Sequence, residues 1–336
     1  MGGLSILYRA MAMRVLMLWI LIYPVFLYGG TAVSLQINEP FSEAVPKGAL
    51  KHYKLGVKYE IGEDVPKDHK EALKWYRLAA EQGHVSAQYK LGLMYDNGKG
   101  VAEDDKAAVK WFELAAGNGL AEAQYHLAVM HARGRGVPED DKVALQWCRL
   151  AADQGFAQAQ HNLGLRYDIG LGVPEDDRAA VNWYRLAAEQ GHAQAQYHLG
   201  SMYSKGKGVL EDGKEAVKWY RLAAEQGHVS AQHKLGLMYD NGEGVPEDDK
   251  AALTWYRLAA DQGHAEAQYH VGVMYANGEG VAMDHVLAYM WANIAGANGL
   301  DISKFKKFLT EELTQDGMDK AQKLTRQYSQ DNPEVY

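Results

Sequence analysis

Tryptophan recurs at a fixed interval of 36 residues along most of this 336-residue chain. The seven positions are Trp75, Trp111, Trp147, Trp183, Trp219, Trp255 and Trp291. Because the interval never changes, no residue is inserted or lost between consecutive units. A fixed period of this size is typical of stacked-repeat proteins, in which each unit packs only on its neighbours. The sequence therefore predicts a solenoid built from seven copies of one unit.

The first half of each unit carries the pattern of an amphipathic helix. In the second unit, Ala87, Leu91 and Met94 lie at helical spacing and predict one apolar stripe. Gly92 lies inside that helix, where glycine costs about 1 kcal/mol relative to alanine. The same slot holds glycine in six of the seven units and alanine, Ala128, in the other. Small residues at this slot predict close contact with a neighbouring helix.

The second half of each unit predicts a second helix. Gly98 is expected to end the first helix, since glycine accepts the left-handed conformation found there. The acidic run 103–105 supplies capping side chains for the start of the next helix. Ala108, Trp111 and Ala115 then recur at helical spacing and are predicted to form its buried stripe. Each unit is thus expected to be a helical hairpin with its tryptophan in the core.

The repeated motif also resembles a known family. The strings A-Q-Y-x-L-G-x-x-Y-x-x-G-x-G-V and D-x-x-x-A-x-x-W-[YF]-x-x-A-A-x-x-G resemble the Sel-1-like repeat, a relative of the tetratricopeptide repeat, over residues 51–302. The resemblance implies an all-α fold, an α-solenoid of helix-turn-helix repeats forming a right-handed superhelix. Relatives act as adaptors in envelope assembly, signalling, host interaction or the secretory pathway. The resemblance therefore implies a protein or peptide ligand.

The two ends of the repeat region depart from the motif. Asp64 replaces the second loop glycine in the first unit, and Ala292 occupies the slot after tryptophan in the last unit. Atypical end units are expected where a stack meets solvent or a cap. Helix-spaced apolar residues predict C-terminal capping helices over residues 303–330, followed by a tail at 331–336.

The N-terminal residues have the composition of an export signal. Arg9 and Arg14 precede an apolar run, 15–28, and small residues follow it. This order predicts a secretory signal peptide over residues 1–34, followed by a linker over 35–50. The apolar run is shorter than the roughly 20 residues that span a bilayer, and an uncleaved inner-membrane anchor is the alternative. The mature protein is predicted to be periplasmic or secreted.

Composition argues against some partners. The net charge of −8 at pH 7 is opposite in sign to the basic surfaces that bind nucleic acid, so no nucleic-acid partner is predicted. Contact with a membrane is expected only through the N-terminal segment, if that segment is not cleaved. With Cys148 as its one cysteine, the chain cannot form an intrachain disulfide.

No residue pattern predicts a catalytic residue, a metal site or a cofactor. His126, His198 and His270 share one slot but lie two units apart, about 20 Å in a stack of helices, whereas zinc ligands lie about 2 Å from one ion. Cys148 fills a slot that otherwise holds tyrosine or phenylalanine in the central units, which favours a core role over a nucleophile. The resemblance includes secreted relatives with paired cysteines in each repeat, to which β-lactam binding or hydrolysis has been attributed. This chain lacks those pairs, so an envelope hydrolase is the less favoured alternative.

A second stripe on the first helix is the candidate binding surface. Tyr89 lies about 200° around the helix from Leu91, so it groups instead with Leu93. By resemblance to tetratricopeptide repeats, this stripe is expected to line the concave groove, where tyrosine and aliphatic side chains suit a peptide ligand. The predicted groove residues are Tyr89, Leu93, Tyr125, Val129, His161, Leu165, Tyr197, His233, Leu237, Tyr269 and Val273. The alternative is that the rings pack between neighbouring units.

The sequence also indicates a recent internal duplication. Residues 70–108 and 214–252 differ at only four positions, one of them Tyr89 against His233. Identical surface residues in these two blocks therefore report shared ancestry rather than a shared ligand.

These observations together predict an exported, non-enzymatic scaffold that holds a protein or peptide in its groove. A scaffold that binds glycan or peptidoglycan by stacking sugar rings on the same tyrosines is the alternative.

Overall fold

The structure, a computed structural model, describes residues 46–333. The predicted signal peptide, 1–34, and most of the predicted linker lie outside the described residues. Within residues 46–333 there are sixteen α-helices and no β-strand. The helices are α1 Lys47–Ile61, α2 His69–Glu81, α3 Val85–Asp96, α4 Asp105–Gly117, α5 Ala121–Arg133, α6 Asp141–Asp153, α7 Ala157–Ile169, α8 Asp177–Glu189, α9 Ala193–Lys205, α10 Gly213–Glu225, α11 Val229–Asn241, α12 Asp249–Ala260, α13 Ala265–Asn277, α14 His285–Ala297, α15 Ser303–Glu312 and α16 Gln315–Asp331.

Helices α1 to α14 form seven consecutive pairs, which we call units 1 to 7. In each unit the odd-numbered helix is the first helix and the even-numbered helix is the second. Each pair of consecutive helices from α1 to α14 is packed together, so the units stack in chain order. After unit 7, α15 and α16 both pack on α14. The predicted α-solenoid of helical hairpins is confirmed. Among the helices of residues 46–333, none is both long and apolar enough to cross a membrane.

An aspartate caps the start of each second helix. Asp140, for example, has an extended backbone, and its carboxylate accepts the N–H groups of Lys142 and Val143 at 2.9 and 3.0 Å. These bonds satisfy donors that have no partner inside the helix. Histidine does the same for four of the first helices: Nδ1 of His192 accepts the N–H of Ala195 at 3.2 Å. The other three capping histidines are His84, His228 and His264.

The core of a unit holds the residue after the tryptophan, and the prediction that the tryptophan fills the core is wrong for most units. Tyr184 is fully buried, whereas Trp183 is only half-buried. Five of the seven tryptophans share this intermediate burial. Four of these five, in units 2, 3, 4 and 6, pack at the junction with the preceding unit, as Trp111 does against the cluster around Tyr76. Helical spacing could not separate the two neighbours, because both lie within one turn of the buried alanines.

A glycine in the first helix receives each buried ring. A Cβ atom on Gly164 would lie 2.7 Å from Cδ1 of Tyr184, and a Cβ atom on Gly92 would lie 2.5 Å from the ring of Phe112. Carbon atoms do not approach this closely, so glycine is the residue that leaves room for the ring. The close helix contact predicted from the recurring glycine is confirmed.

Units 3 and 7 depart from this contact. In unit 3 a smaller side chain, Cys148, replaces the ring, and Ala128 replaces the glycine; both residues are buried. In unit 7 the ring slot holds Ala292, and the ring of Phe305 from α15 lies 3.2 Å from the Cβ position at Gly272. Helix α15 therefore supplies a ring beside Gly272, whose own unit has no ring at that slot.

The loop inside each unit touches the unit before it. A Cβ atom on Gly136 would lie 2.5 Å from the backbone oxygen of Asp105 in unit 2, and Gly136 has a φ of +69°. Unit 1 has no preceding unit among the described residues, and there Asp64 adopts the left-handed conformation with a φ of 60°. Aspartate tolerates this conformation better than most residues. The close approach of this loop to the preceding unit thus explains why only the first unit has a residue other than glycine at the slot of Gly136.

A row of buried glutamines, which the sequence analysis did not single out, links consecutive units. Nε2 of Gln160 donates to the backbone oxygen of Ala152 in unit 3 at 3.2 Å, and Nε2 of Gln190 donates to Oε1 of Gln160 at 2.6 Å. The side-chain pair recurs as Gln124–Gln154, Gln196–Gln226, Gln232–Gln262 and Gln268–Asn298. Buried amides are stable only when hydrogen-bonded, so the row fixes the register between units.

Candidate binding surface

The predicted groove residues occupy two slots on the first helices. We call the first slot the ring row, formed by Tyr53, Tyr89, Tyr125, His161, Tyr197, His233 and Tyr269. We call the second the aliphatic row, formed by Leu93, Val129, Leu165, Leu237 and Val273, with Ser201 at the same slot in unit 5. All eleven predicted residues are half-buried except His233, which is buried.

The ring row packs between units. Tyr197 stacks on His228, the cap of the next first helix, with ring centroids 4.7 Å apart and planes 17° apart. Tyr53 stacks on His84 in the same way, at 4.4 Å. Contacts of this kind stabilise a fold beyond the area they bury. One face of each of these two rings is covered by the next unit, which favours the packing alternative for the ring row.

Hydroxyl groups of the ring row also reach the next unit. Oη of Tyr89 lies 3.3 Å from Nε2 of His126, and Oη of Tyr125 accepts a hydrogen bond from Nδ2 of Asn162 at 3.4 Å. Burial raises the pKa of Tyr89 to about 12, so its hydroxyl stays protonated and can donate to the imidazole. These two tyrosines therefore have polar partners inside the stack.

Two histidines of the ring row lie in clusters of three imidazoles. The ring of His161 lies 4.9 Å from that of His192 and 5.3 Å from that of His198, measured between centroids. The second cluster joins units 6 and 7 and contains His233, His264 and His270. Sequence reasoning compared histidines of one slot and missed these clusters, because the members of each come from three slots. Among residues 46–333, no group of three His, Cys, Asp or Glu residues is arranged to hold a metal ion.

The surroundings of these clusters keep the histidines neutral. Burial lowers the pKa of His161 to about 3, and the imidazoles of His192 and His198 add to the shift. Burial and the neighbouring imidazoles lower the pKa of His233 to about 3 in the same way. His192 must also be neutral to cap α9, because its Nδ1 accepts a hydrogen bond. Protonation of His161 or His233 would therefore place a charge inside the stack, and protonation of Nδ1 of His192 would remove the hydrogen bond that caps α9.

The fold is expected to lose stability as the pH falls below about 6.5, the unfolded pKa of histidine. A histidine with a depressed folded pKa contributes stability that is complete above 6.5 and is lost as the pH falls toward the folded value of about 3. Each such group costs up to about 1.4 kcal/mol per pH unit in this window. Because tyrosine fills the same slot in other units, the variant His161→Tyr, His233→Tyr should lose less stability between pH 7 and 5. Urea unfolding at each pH measures the difference.

A reverse substitution provides the matched control for this prediction. Tyr197→His would place a new imidazole against His228 and beside His198, so it should steepen the loss of stability in acid. The same pH dependence in the wild type, the double variant and Tyr197→His would contradict the role given to the clusters.

The aliphatic row leaves part of each side chain exposed. Leu93 and Leu237 pack against buried clusters but keep intermediate exposure. The same intermediate exposure is found for the other members, Val129, Leu165 and Val273. The row therefore forms a stripe of partly exposed apolar side chains along the first helices. Such a stripe suits the side chains of a docked peptide or helix.

Ion pairs hold the ends of the first helices against the loops of the next unit. Arg135, in the loop of unit 3, lies 3.0 Å from Asp96 at the end of α3 and 2.5 Å from Asp105 at the start of α4. In unit 5, Lys207 takes the same place and lies 2.7 Å from Asp168. These side chains are partly buried, so the pairs fix the register between units more firmly than exposed pairs would.

Cys148 has the core role that the sequence predicts. Its side chain is 1% exposed, and its sulfur lies 3.4 Å from the backbone oxygen of Ala159. Burial raises the pKa of the thiol to about 11, whereas a nucleophilic cysteine needs a lowered pKa and access to solvent. The surroundings of this thiol therefore oppose nucleophilic chemistry.

Comparison with known proteins places this architecture among repeat proteins. A sequence model of the Sel1 repeat matches the chain seven times, over residues 52–84, 85–120, 121–156, 157–192, 193–228, 229–264 and 265–300. The solved structure of a Sel1 repeat protein from Oxalobacter formigenes is 37% identical and covers 79% of this chain and 76% of that one, with a TM-score of 0.64. A protective antigen present in uropathogenic Escherichia coli strains, which displays an SLR fold, is 28% identical and covers 85% of each chain, with a TM-score of 0.50. No curated protein shows significant similarity to this chain.

Proposed function

We propose that this chain, which belongs to the Sel1 repeat family, is a non-enzymatic scaffold that holds a protein or peptide along the aliphatic row. The Sel1 repeat fold is a scaffold compatible with protein interaction, and here its repeats span residues 52–300. One observation carries the proposal: partly exposed apolar side chains recur on the first helices although the buried stripe of each helix is complete without them. An apolar stripe bordered by rings is the surface on which binding energy concentrates.

The local chemistry supports binding over the alternatives. A hydrolase would need an activated nucleophile, and the pKa of the Cys148 thiol is raised rather than lowered. A glycan would need free ring faces, and one face of Tyr53 and one face of Tyr197 are covered by histidine. We therefore assign the ring row to packing between units and the ligand contacts to the aliphatic row beside it.

Export of the mature protein is part of the proposal. It rests on the basic residues Arg9 and Arg14 and on the apolar run 15–28. A ligand would then be met in the periplasm or outside the cell. Intact mass of the protein recovered from cells tests this: a chain that begins near residue 35 supports export, and a chain that keeps residues 1–34 argues for the anchor.

A pull-down with substituted bait tests the binding surface. Wild-type chain and the variant Leu165→Ser, Leu237→Ser are used to capture proteins from native envelope extract under crosslinking. Serine is compatible with this slot because unit 5 carries Ser201 there. We expect a specific protein that the wild type captures and the variant captures at least tenfold less.

Substitution in the loops is the control. Leu171→Ser, Leu210→Ser removes the same kind of side chain from two exposed loop positions that belong to neither row, and should leave this capture unchanged. Equal capture by the wild type and by Leu165→Ser, Leu237→Ser would move binding away from the aliphatic row and overturn the assignment.

A further inference from the structure

A row of exposed leucines lies on the second helices. We call it the leucine row; its members are Leu78, Leu114, Leu150, Leu186, Leu222 and Leu258, with exposures of 38% to 48%. Each of units 1 to 6 contributes one leucine, always 36 residues after the last. The row is separate from the aliphatic row, which lies on the first helices.

The leucines recur unchanged beside exposed slots that vary from unit to unit. The exposed slot four residues earlier holds lysine, glutamine, asparagine or threonine in different units, and the exposed slot three residues later holds glutamate, glycine or aspartate. Leucine does not vary in the same six units. The internal duplication explains the identity of Leu78 and Leu222, but Leu114, Leu150 and Leu186 lie outside the duplicated blocks. An exposed apolar slot that stays unchanged while its exposed neighbours diverge points to a contact surface.

Within residues 46–333, the chain itself covers the equivalent face once, in unit 7. There the slot holds Ile294, which is fully buried in a cluster that includes Leu309 of α15 and Ala321 of α16. Trp291 of the same unit is only 2% exposed, and the ring of Tyr328 from α16 meets it at 5.2 Å. The covering elements are two helices, α15 and α16, and the ring that meets Trp291 comes from α16.

This intrachain interface is continuous with the leucine row. Oη of Tyr328 donates to the carboxylate of Asp261 at 2.9 Å. Asp261 lies three residues after Leu258, the last member of the row, and so borders it on the same face. Carboxylates occupy the slot of Asp261 in four other units, at Glu81, Asp153, Glu189 and Glu225. The leucine row therefore repeats, unit by unit, a surface on which the end of α16 already rests.

We propose that the leucine row is a docking surface for an amphipathic α-helix of a partner protein. Its apolar side chains would lie on the leucines, and its hydroxyl or cationic groups would pair with the flanking carboxylates. A groove of about 420 Å³ beside Leu222 is lined by Val217 and Val245 and bordered by Arg221 and Glu225, which gives room for a side chain of such a helix. A helix of 17 residues, the length of α16, is about 25 Å long, and packed helices lie about 10 Å apart. One docked helix would thus span about three units.

The C-terminal helix of the chain supplies a defined probe. A fluorescein-labelled peptide of residues 313–332 is titrated against the full chain, in which α16 still covers unit 7, and its fluorescence anisotropy is followed. We expect saturable binding to the wild type and at least tenfold weaker binding to the variant Leu150→Lys, Leu186→Lys, Leu222→Lys. Because the three leucines are exposed, the thermal midpoint of this variant should equal that of the wild type.

Matched controls decide the outcome. The variant Leu210→Lys changes a loop residue that is 90% exposed, and it should bind the peptide like the wild type. The variant Leu165→Ser, Leu237→Ser should also bind the peptide like the wild type. This second control makes the test independent of the proposed function, which concerns the aliphatic row. A peptide with the same composition but with Met318, Leu324 and Tyr328 moved out of one stripe should not bind. Absence of binding by the native peptide would overturn the proposal. Equal binding to the wild type and to the triple variant would also overturn it, because the peptide would then lie away from the leucine row.

Discussion

Replacing Tyr184 by alanine is expected to lower the free energy of unfolding by about 3–5 kcal/mol. The ring is fully buried between α7 and α8, and its hydroxyl donates to Asp168 at 3.1 Å. Alanine would leave a cavity beside Gly164, which has no side chain to fill it. It would also remove the hydrogen bond from a half-buried carboxylate. Urea unfolding at pH 7.5, followed by circular dichroism, measures the loss.

Substitution of the adjacent tryptophan is the comparison for this prediction. Trp183 is half-buried at the junction with the preceding unit, so Trp183→Ala should cost on the order of 1–2 kcal/mol from the smaller apolar area involved. A larger loss for Trp183→Ala than for Tyr184→Ala would contradict the assignment of the tyrosine to the core and would restore the tryptophan to it.

The second large effect is expected at the glycine that faces this ring. A Cβ atom on Gly164 would lie 2.7 Å from the ring of Tyr184, so Gly164→Ala should destabilise the chain by about 1–3 kcal/mol through overpacking. In a Tyr184→Cys background the clash disappears, and the alanine should instead gain up to about 1 kcal/mol of helix propensity. The pair would then copy Ala128 and Cys148 of unit 3.

A double-mutant cycle in urea measures this coupling, and we expect a favourable interaction energy between the two substitutions of about 2 kcal/mol. Gly117→Ala is the matched control. Gly117 is also helical, but nothing lies within 4 Å of its Cβ position, so alanine should stabilise there in either background. Additive costs for Gly164→Ala and Tyr184→Cys would show that the two positions do not compete for one space.

The period of 36 residues was sufficient to predict the helical hairpins and their order. It works because every element of a solenoid packs on its neighbours in sequence, so local pattern and tertiary contact coincide. The aspartate caps and the close contact at Gly92 could also be predicted, since each depends on one residue type at one position. The capping role of His192 could not be predicted, because the sequence spacing of a histidine at a turn is the same whether it caps a helix or lies on the surface.

Side-chain burial within a helix was less predictable. Trp183 and Tyr184 both lie within a turn of buried alanines, and helical spacing with those alanines predicts the tryptophan in the core. The structure shows that the variable slot, which holds Tyr184, Cys148 or Ala292 in different units, is the one that faces the core. In unit 3 the change to Cys148 is matched by Ala128 on the facing helix, a coupling that no single unit reveals.

The sequence groups Tyr89 and Leu93 on one stripe of the first helices, but it does not separate the surroundings of the two slots. The structure places both slots on the first helices, away from the buried Leu91. Stacking of Tyr197 on His228 joins two units, and a contact of that kind depends on the angle between hairpins. The helical pattern of one unit therefore could not predict which residue of the next unit each ring contacts.

Site-specific photo-crosslinking tests the central claim, that the aliphatic row holds a protein ligand, most directly. Benzoylphenylalanine is placed in separate experiments at Leu165 and at Leu237, both half-exposed on first helices, and at the exposed loop residue Leu210. After irradiation in cells, the account predicts the same discrete protein adduct at Leu165 and at Leu237 and its absence at Leu210. No adduct at the two stripe positions, or the same adducts at all three, would contradict it.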